Sequence, residues 1–373
     1  MGLPRTSIWR RLSLLLMVAA LAATAAACGD NDDPSTVVNT RPTLTAAPDD
    51  QEWEHVVPGG DCQCSDGSEF RFWVRKANPG KVVFYLQDGG ACFSKKTCAR
   101  DTGLYQTRVT DGPTGEGGIF DFTHKRNPLA DYSVVFVPYC TGDVHIGNAT
   151  TTYAPGLSVH HKGYVNGTAA LDWLTASFPG ATEVVVIGES AGSIAAPLYA
   201  GLVSDRLPDA RIMALSDGSG SYPDVPRLND IIAAWGAGNV LPRWPENAGP
   251  TTKQWSFPGL VTRSGRHDRT IVFARHDYAY DENQALWYPL AGVPEKDLLS
   301  LIDGNEAQIE NAGVNLLSYI APGSEHTALS EDRFYTERVA GQRLVDWVTA
   351  LIEGKPVDDV HCENCTTGVR HRR

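Results

Sequence analysis

Thr182-Glu-Val-Val-Val-Ile-Gly-Glu-Ser-Ala-Gly-Ser193 is an apolar run that breaks into glycine, glutamate, serine, alanine and glycine. Val184 to Ile187 are four consecutive β-branched residues, which fits a buried parallel strand better than a half-exposed one, where apolar and polar residues would alternate. Ser190 then stands at the end of the strand. Gly188 and Gly192 flank it where a side chain would collide with a neighbouring strand or helix, so the turn can tighten and expose the hydroxyl. Ala195, Ala196, Leu198 and Tyr199 continue as a small-residue helix able to pack close to a sheet. The pattern is a nucleophile elbow with its strand and helix present; the alternative is an ordinary strand-to-helix turn.

A serine hydroxyl is a poor nucleophile at neutral pH, so the elbow requires a histidine base, an acid to orient it and N–H donors for an oxyanion. Glu69 to Arg75 and Lys81 to Leu86 read as two adjacent strands, with Asn78-Pro79-Gly80 as the turn signal between them. Paired glycines follow the second strand, and Gly89, Gly90 and Ala91 are candidate oxyanion donors because no side chain would stand between their N–H groups and a substrate. The N–H of Ala191, directly after the serine, is the expected second donor. Ser133 to Pro138 is another strand. Asp143 and His145 on the loop after it are either substrate contacts or plain polar loop residues.

His160 to Phe178 contains a helix suited to pack beneath the elbow strand, and Ala210 to Ser216 is a strand closed by Asp217. Residues 239–268 lack a clear period and read as an insertion bordering the site, with Trp235, Trp244 and Trp255 at its mouth. Thr270 to Arg275 is a strand followed by Asp277 and Asp281; Val314 to Ile320 is the last strand; Arg338 to Ile352 is the closing helix. His326, between that last strand and helix, is where the elbow demands its base. Asp217, Asp277 and Asp281 all follow a strand and are candidates for the acid.

The 373 residues, 42% apolar, suffice for one large α/β domain or two small ones. Arg5, Arg10 and Arg11 precede an uncharged stretch from Leu12 to Ala27, the layout of a secretory signal, so residues 1–27 are expected to be a signal peptide. Small residues before Cys28 are similar to a bacterial lipobox, which makes Cys28 a candidate lipid anchor; simple secretion is the alternative. Residues 28–52 form a flexible tether poor in large apolar side chains, and 53–373 are the catalytic domain. The net charge of −12 argues against nucleic acid or anionic lipid as a partner through bulk charge. In an oxidising compartment most cysteines should pair. Cys92 with Cys98 is the plausible local bridge; a clip joining Cys62-x-Cys64 to Cys362-x-x-Cys365 is the preferred longer one, and a zinc site from the same residues the weaker alternative.

Four segments together resemble the pectin acetylesterase family, which includes Notum-type lipid deacylases. They are Tyr85-Leu-Gln-Asp-Gly-Gly-Ala-Cys-Phe93 with Thr97-Cys98, Val137-Pro-Tyr-Cys-Thr-Gly-Asp-Val-His145, Gly188-Glu-Ser-Ala-Gly-Ser193, and Tyr280-Asp-Glu-Asn-Gln284 with Ser324-Glu-His326. The resemblance implies an α/β-hydrolase fold, with a mostly parallel sheet and helices on both faces. It also implies hydrolysis of carboxylic esters without a metal or other cofactor. It favours Asp281 over Asp277 as the acid and carries the oxyanion donors to Gly90, Ala91 and Ala191. Asp88, Phe93 and Glu189 depart from what many relatives have. The expected protein is an exported esterase that deacetylates an acetylated, pectin-like carbohydrate through Ser190, His326 and Asp281. A lipid or thioester deacylase is the alternative, and a non-catalytic surface-binding protein a third.

Overall fold

The computed structural model describes residues 53–110, 112–113, 117–248, 255–294 and 297–369. The expected signal segment, Cys28 and the tether lie outside them. Contacts separate residues 1–47 from 48–373, and every described residue belongs to the second unit.

In chain order the strands are β1 (Glu54–Val56), β2 (Phe72–Arg75), β3 (Asn78–Leu86), β4 (Tyr132–Val137), β5 (Ala149–Ala154), β6 (Leu157–His161), β7 (Glu183–Glu189), β8 (Arg211–Asp217), β9 (Val272–Tyr278), β10 (Leu316–Ala321), β11 (Arg338–Val339), β12 (Gln342–Arg343) and β13 (Val360–His361). The helices are α1 (Lys95–Cys98), α2 (Gly163–Ser177), α3 (Ala191–Arg206), α4 (Pro226–Ala234), α5 (Phe257–His267), α6 (Glu282–Ala291), α7 (Leu298–Asn311), α8 (Arg333–Thr336) and α9 (Leu344–Ile352). One sheet runs β1-β2-β4-β3-β7-β8-β9-β10-β13. It is parallel from β4 to β13 and antiparallel at β1 and β2. This is the α/β architecture that the elbow requires.

The β-branched run of β7 is buried on both sides because successive side chains leave the strand on opposite faces. Val184 and Val186 pack with Leu171 of α2 and Ala195, Leu198 and Tyr199 of α3. Val185 and Ile187 pack with Trp347 and Val348 of α9. With β3 and β8 as its neighbours, the strand delivers Ser190 to the middle of the sheet's carboxyl edge, where open α/β sheets bind ligands.

Several expectations are corrected. β4 lies between β2 and β3, so Asn78-Pro79-Gly80 opens β3 instead of closing a hairpin. Asp277 lies within β9, which runs on to Tyr278. The insertion contains a true helix, α5, packed near α3: a Cβ at Gly201 of α3 would come 3.2 Å from Ser264 Oγ of α5. β10 is followed by the short edge strand β13. The closing helix starts only at Leu344, because Ala340 and Gly341, both at positive φ, turn a small β11–β12 hairpin before it.

The cysteine clip is also overturned. Cys64 pairs with Cys140 and Cys362 with Cys365, leaving Cys62 unpaired, so the thiols that a clip or a zinc site would need are already bonded. The Cys92–Cys98 bridge is as expected. Among the described residues no helix is long and apolar enough to cross a membrane.

Candidate active site

Ser190 sits between β7 and α3 with φ 51° and ψ −114°, a conformation that a residue with a side chain rarely adopts. The two glycines around it explain how the turn closes. A Cβ on Gly188 would lie 2.2 Å from the Gly192 carbonyl oxygen, and one on Gly192 2.0 Å from that of Leu86. The Ser190 N–H donates to the Asp217 carbonyl at 2.7 Å, which ties the elbow to the end of β8. The next residue, Gly218, packs against the His326 ring; a Cβ there would be 3.2 Å from Cε1.

His326 Nδ1 lies 2.7 Å from Asp281 Oδ2. Its other ring nitrogen, Nε2, is buried without a hydrogen-bond partner. Burial works against the charged imidazolium, but the bond to Asp281 and the charges of Asp281, Asp217 and Asp88 outweigh it and raise the His326 pKa above its ordinary value. Asp281 is fully buried and caps α6, its Oδ1 accepting from the N–H groups of Asn283 and Gln284 at 2.8 and 2.9 Å. Gln284 reaches back to both Asp281 and Asp277 at 3.0 Å, so the Asp-x-x-Gln spacing is one turn of helix holding a carboxylate. Asp277 instead accepts from Gly220 N–H at 2.7 Å and faces Arg275 at 3.8 Å, with no bond to His326.

Behind these residues lies a scaffold that the sequence did not reveal. Asp217 Oδ2 accepts the N–H groups of Ala328 and Leu329, both at 2.9 Å, holding the loop that carries His326. Its Oδ1 is 2.7 Å from His276 Nδ1, and His276 Nε2 is 2.8 Å from Glu337. Although burial lowers the His276 pKa, the two carboxylates raise it to about 10. Glu189, beside Ser190, accepts from Ser330 N and Oγ at 3.2 and 3.0 Å and from the Tyr85 hydroxyl. Burial, reinforced by the Asp217 charge, pushes the Glu189 carboxyl well above the usual carboxylate range.

The loop after β3 brings Gly90 and Ala91 beside Ser190, and both line one cavity with Ala191. Gly90 has φ 76°, and a Cβ there would lie 2.0 Å from the Leu104 carbonyl oxygen, so only glycine fits. The Cys92–Cys98 bridge follows directly, and the Trp235 indole N–H donates to the Cys92 carbonyl at 2.8 Å. The cavity is walled by Phe93, Ile194, Trp235, Phe257 and Trp287 and encloses about 50 Å³. Of the three tryptophans expected at the mouth only Trp235 lines it; Trp244 stacks on His267 and Trp255 lies under Arg263. Trp287, on the exposed side of α6, was not anticipated. Asp143 and His145 are buried structural residues: Asp143 accepts from Gly163 N–H at the start of α2, and His145 Nε2 bonds the Gln87 carbonyl.

Residues 56–231 match the family model described as Pectinacetylesterase. The palmitoleoyl-protein carboxylesterase NOTUM of Schmidtea mediterranea is 29% identical over 155 residues, 39% of this chain and 29% of that protein. The palmitoleoyl-protein carboxylesterase notum1 of Xenopus laevis is 25% identical over 187 residues, 47% of this chain and 38% of its own length. Pectin acetylesterase 5 of Arabidopsis thaliana is 25% identical over 175 residues, 46% of this chain and 39% of that protein. The chain thus spans well under half the length of these curated relatives. The matched region contains both the glycine loop after β3 and the serine elbow, so residues 56–231 are similar to the pectinacetylesterase family.

Proposed function

We propose that this protein is a serine carboxylesterase in which Ser190 is the nucleophile, His326 the base and Asp281 the acid that orients it. The observation that carries the reading is the 2.7 Å contact between His326 Nδ1 and Asp281, which leaves Nε2 buried and without a hydrogen-bond partner. Asp281 fixes the tautomer with the proton on Nδ1, so that Nε2 accepts the serine proton as Oγ attacks the ester carbonyl. The N–H groups of Gly90, Ala91 and Ala191 hold the oxyanion, and losing one such donor is worth about 3–4 kcal/mol of transition-state stabilisation. The imidazolium then protonates the departing alcohol. Water, activated by the same histidine, releases the acid from Ser190.

The substrate of this reading is a short acyl ester, acetyl above all, on a polar alcohol such as a pectin-like polysaccharide. A cleft of about 50 Å³, open on one side, suits a few heavy atoms; a single water needs about 10–15 Å³. Its aromatic wall also supports a second reading, a lipid deacylase with the same triad. Three disulfides among the described residues fit an oxidising compartment, and with it the export expected from residues 1–27; a lipid anchor on Cys28 belongs to the same proposal. A fluorophosphonate probe tests the chemistry: mass spectrometry should place the adduct on Ser190. Labelling that persists in Ser190→Ala would overturn the assignment.

A further inference from the structure

Adjoining the apolar cavity, with which it shares Gly90, Ser190 and Trp287, lies a broader depression of about 430 Å³, lined also by Asp88, Tyr105, Gln106 and Asn283 among others. If the acyl group enters the apolar cavity, the alcohol half of the ester has this depression left to occupy. Among the described Asp, Glu, Lys, Arg and His residues only Asp88 lines it, so the described lining holds one carboxylate and no cation. Asp88 is open to solvent on one side and surrounded by protein on the others. Its carboxyl is raised by that enclosure, while the charge of His326 pulls it down; the one hydrogen bond acting on it comes from its own backbone. Among the described residues no other side chain hydrogen-bonds its oxygens.

A carboxylate placed this way can accept hydrogen bonds from hydroxyl groups of an alcohol. It also repels an alcohol that brings a second negative charge within a few ångströms of the ester, where solvent is partly excluded and the interaction is stronger than in bulk water. We infer that Asp88 is a specificity-determining residue that restricts the alcohol to one with no negative charge next to the ester. The inference rests on the esterase reading and sharpens its substrate class. On an acetylated polyuronide it selects residues whose neighbouring carboxyl groups are methyl-esterified. Deacetylation by this protein therefore has to precede the hydrolysis of those methyl esters, because that hydrolysis uncovers the repelling carboxylates.

The test compares one acetylated oligogalacturonide in its methyl-esterified form and after enzymatic removal of the methyl groups, with acetate release measured for the wild type and for Asp88→Asn. The ratio of kcat/KM for the two forms cancels any change that the substitution makes in His326 itself or in the fraction of folded enzyme. The wild type should favour the esterified form about tenfold, the scale expected of a like-charge pair in a partly desolvated cleft. Asp88→Asn should bring the ratio close to one, and added salt should shrink the wild-type ratio. A ratio that is the same in both proteins, a preference for the demethylated form, or no acetate from either form would overturn the inference. Failure to cleave even p-nitrophenyl acetate would overturn the esterase reading itself, so the two failures are told apart.

Discussion

The carboxylate of Asp217 lies 2.7 Å from the ring of His276, and both side chains are fully buried. Because the same carboxylate carries the N–H groups of Ala328 and Leu329, a buried ion pair fixes where the loop of His326 sits. Asp217→Asn should leave a charged histidine facing only Glu337. Removing one partner of a buried pair costs about 3–5 kcal/mol, which should appear as a large fall in the thermal midpoint. In the wild type the His276 contribution is fully present below its unfolded value of 6.5 and is lost as pH rises through about 10, so stability should decline across that window. An unchanged midpoint in Asp217→Asn would remove the anchor from the account.

Asp281→Asn should lower kcat by about 10⁴, since an amide favours the wrong histidine tautomer. Asp277→Asn, whose carboxylate never meets His326, should lower it far less and act on stability through Gly220, Gln284 and Arg275. Steady-state kinetics on p-nitrophenyl acetate decides between them: a crippled Asp277 variant beside an active Asp281 variant would reverse the assignment.

Three carboxylates raise the His326 pKa against its burial, and only the neutral ring can take a proton from Ser190. Activity should therefore climb with pH along a limb whose midpoint lies above the ordinary histidine value of 6.5. Asp88→Asn, which deletes one of the three charges, should move that limb to lower pH. A limb that stays in place would mean that Asp88 does not act on the base.

On p-nitrophenyl esters, catalytic efficiency should fall steeply from acetyl to octanoyl, because the cavity has little room beyond a few heavy atoms. If the wall could open to admit the longer chain, each added methylene would instead gain about 0.8 kcal/mol. A rise through octanoyl, with no acetate from any polysaccharide, would favour the lipid-deacylase reading.

The Cys64–Cys140 bridge spans 76 positions of chain. In the chain-entropy picture a loop of that length is worth about 4–5 kcal/mol. The double variant Cys64→Ser, Cys140→Ser should lose stability on that scale in urea denaturation. A loss below about 1 kcal/mol would show that the bridge merely decorates a fold held by its sheet.

What could be read in the sequence was what neighbouring residues decide among themselves. Val184 to Ile187 marked the central strand, and the glycines at 188 and 192 marked the turn, because a β-branched run and a close backbone approach each leave a local signature. Asp281 was set apart from Asp217 and Asp277 only by the resemblance of its Tyr280-Asp-x-x-Gln284 run to the family; the residues themselves left all three open. The pairing of Cys64 with Cys140 was not legible, since it depends on the loop after β4 folding back over the start of the domain, where Ser65 N–H meets the Cys140 carbonyl. Nor was His276 visible as an ion-pair partner: it is the middle of three consecutive polar residues, Arg275-His276-Asp277, and only the register of β8 beside β9 sets it opposite Asp217.

Ser190 holds φ at 51°, where a Cβ is unwelcome and glycine is at ease. Strain of this kind is worth about 1–3 kcal/mol. Ser190→Gly would relieve it and abolish turnover in the same step. Selection of random variants for heat resistance alone would thus tend to discard the nucleophile, and a lineage in which substrate disappeared would drift towards a sturdier, silent relative through a single codon. On the proposed reading the serine would persist there only while the reaction is under selection.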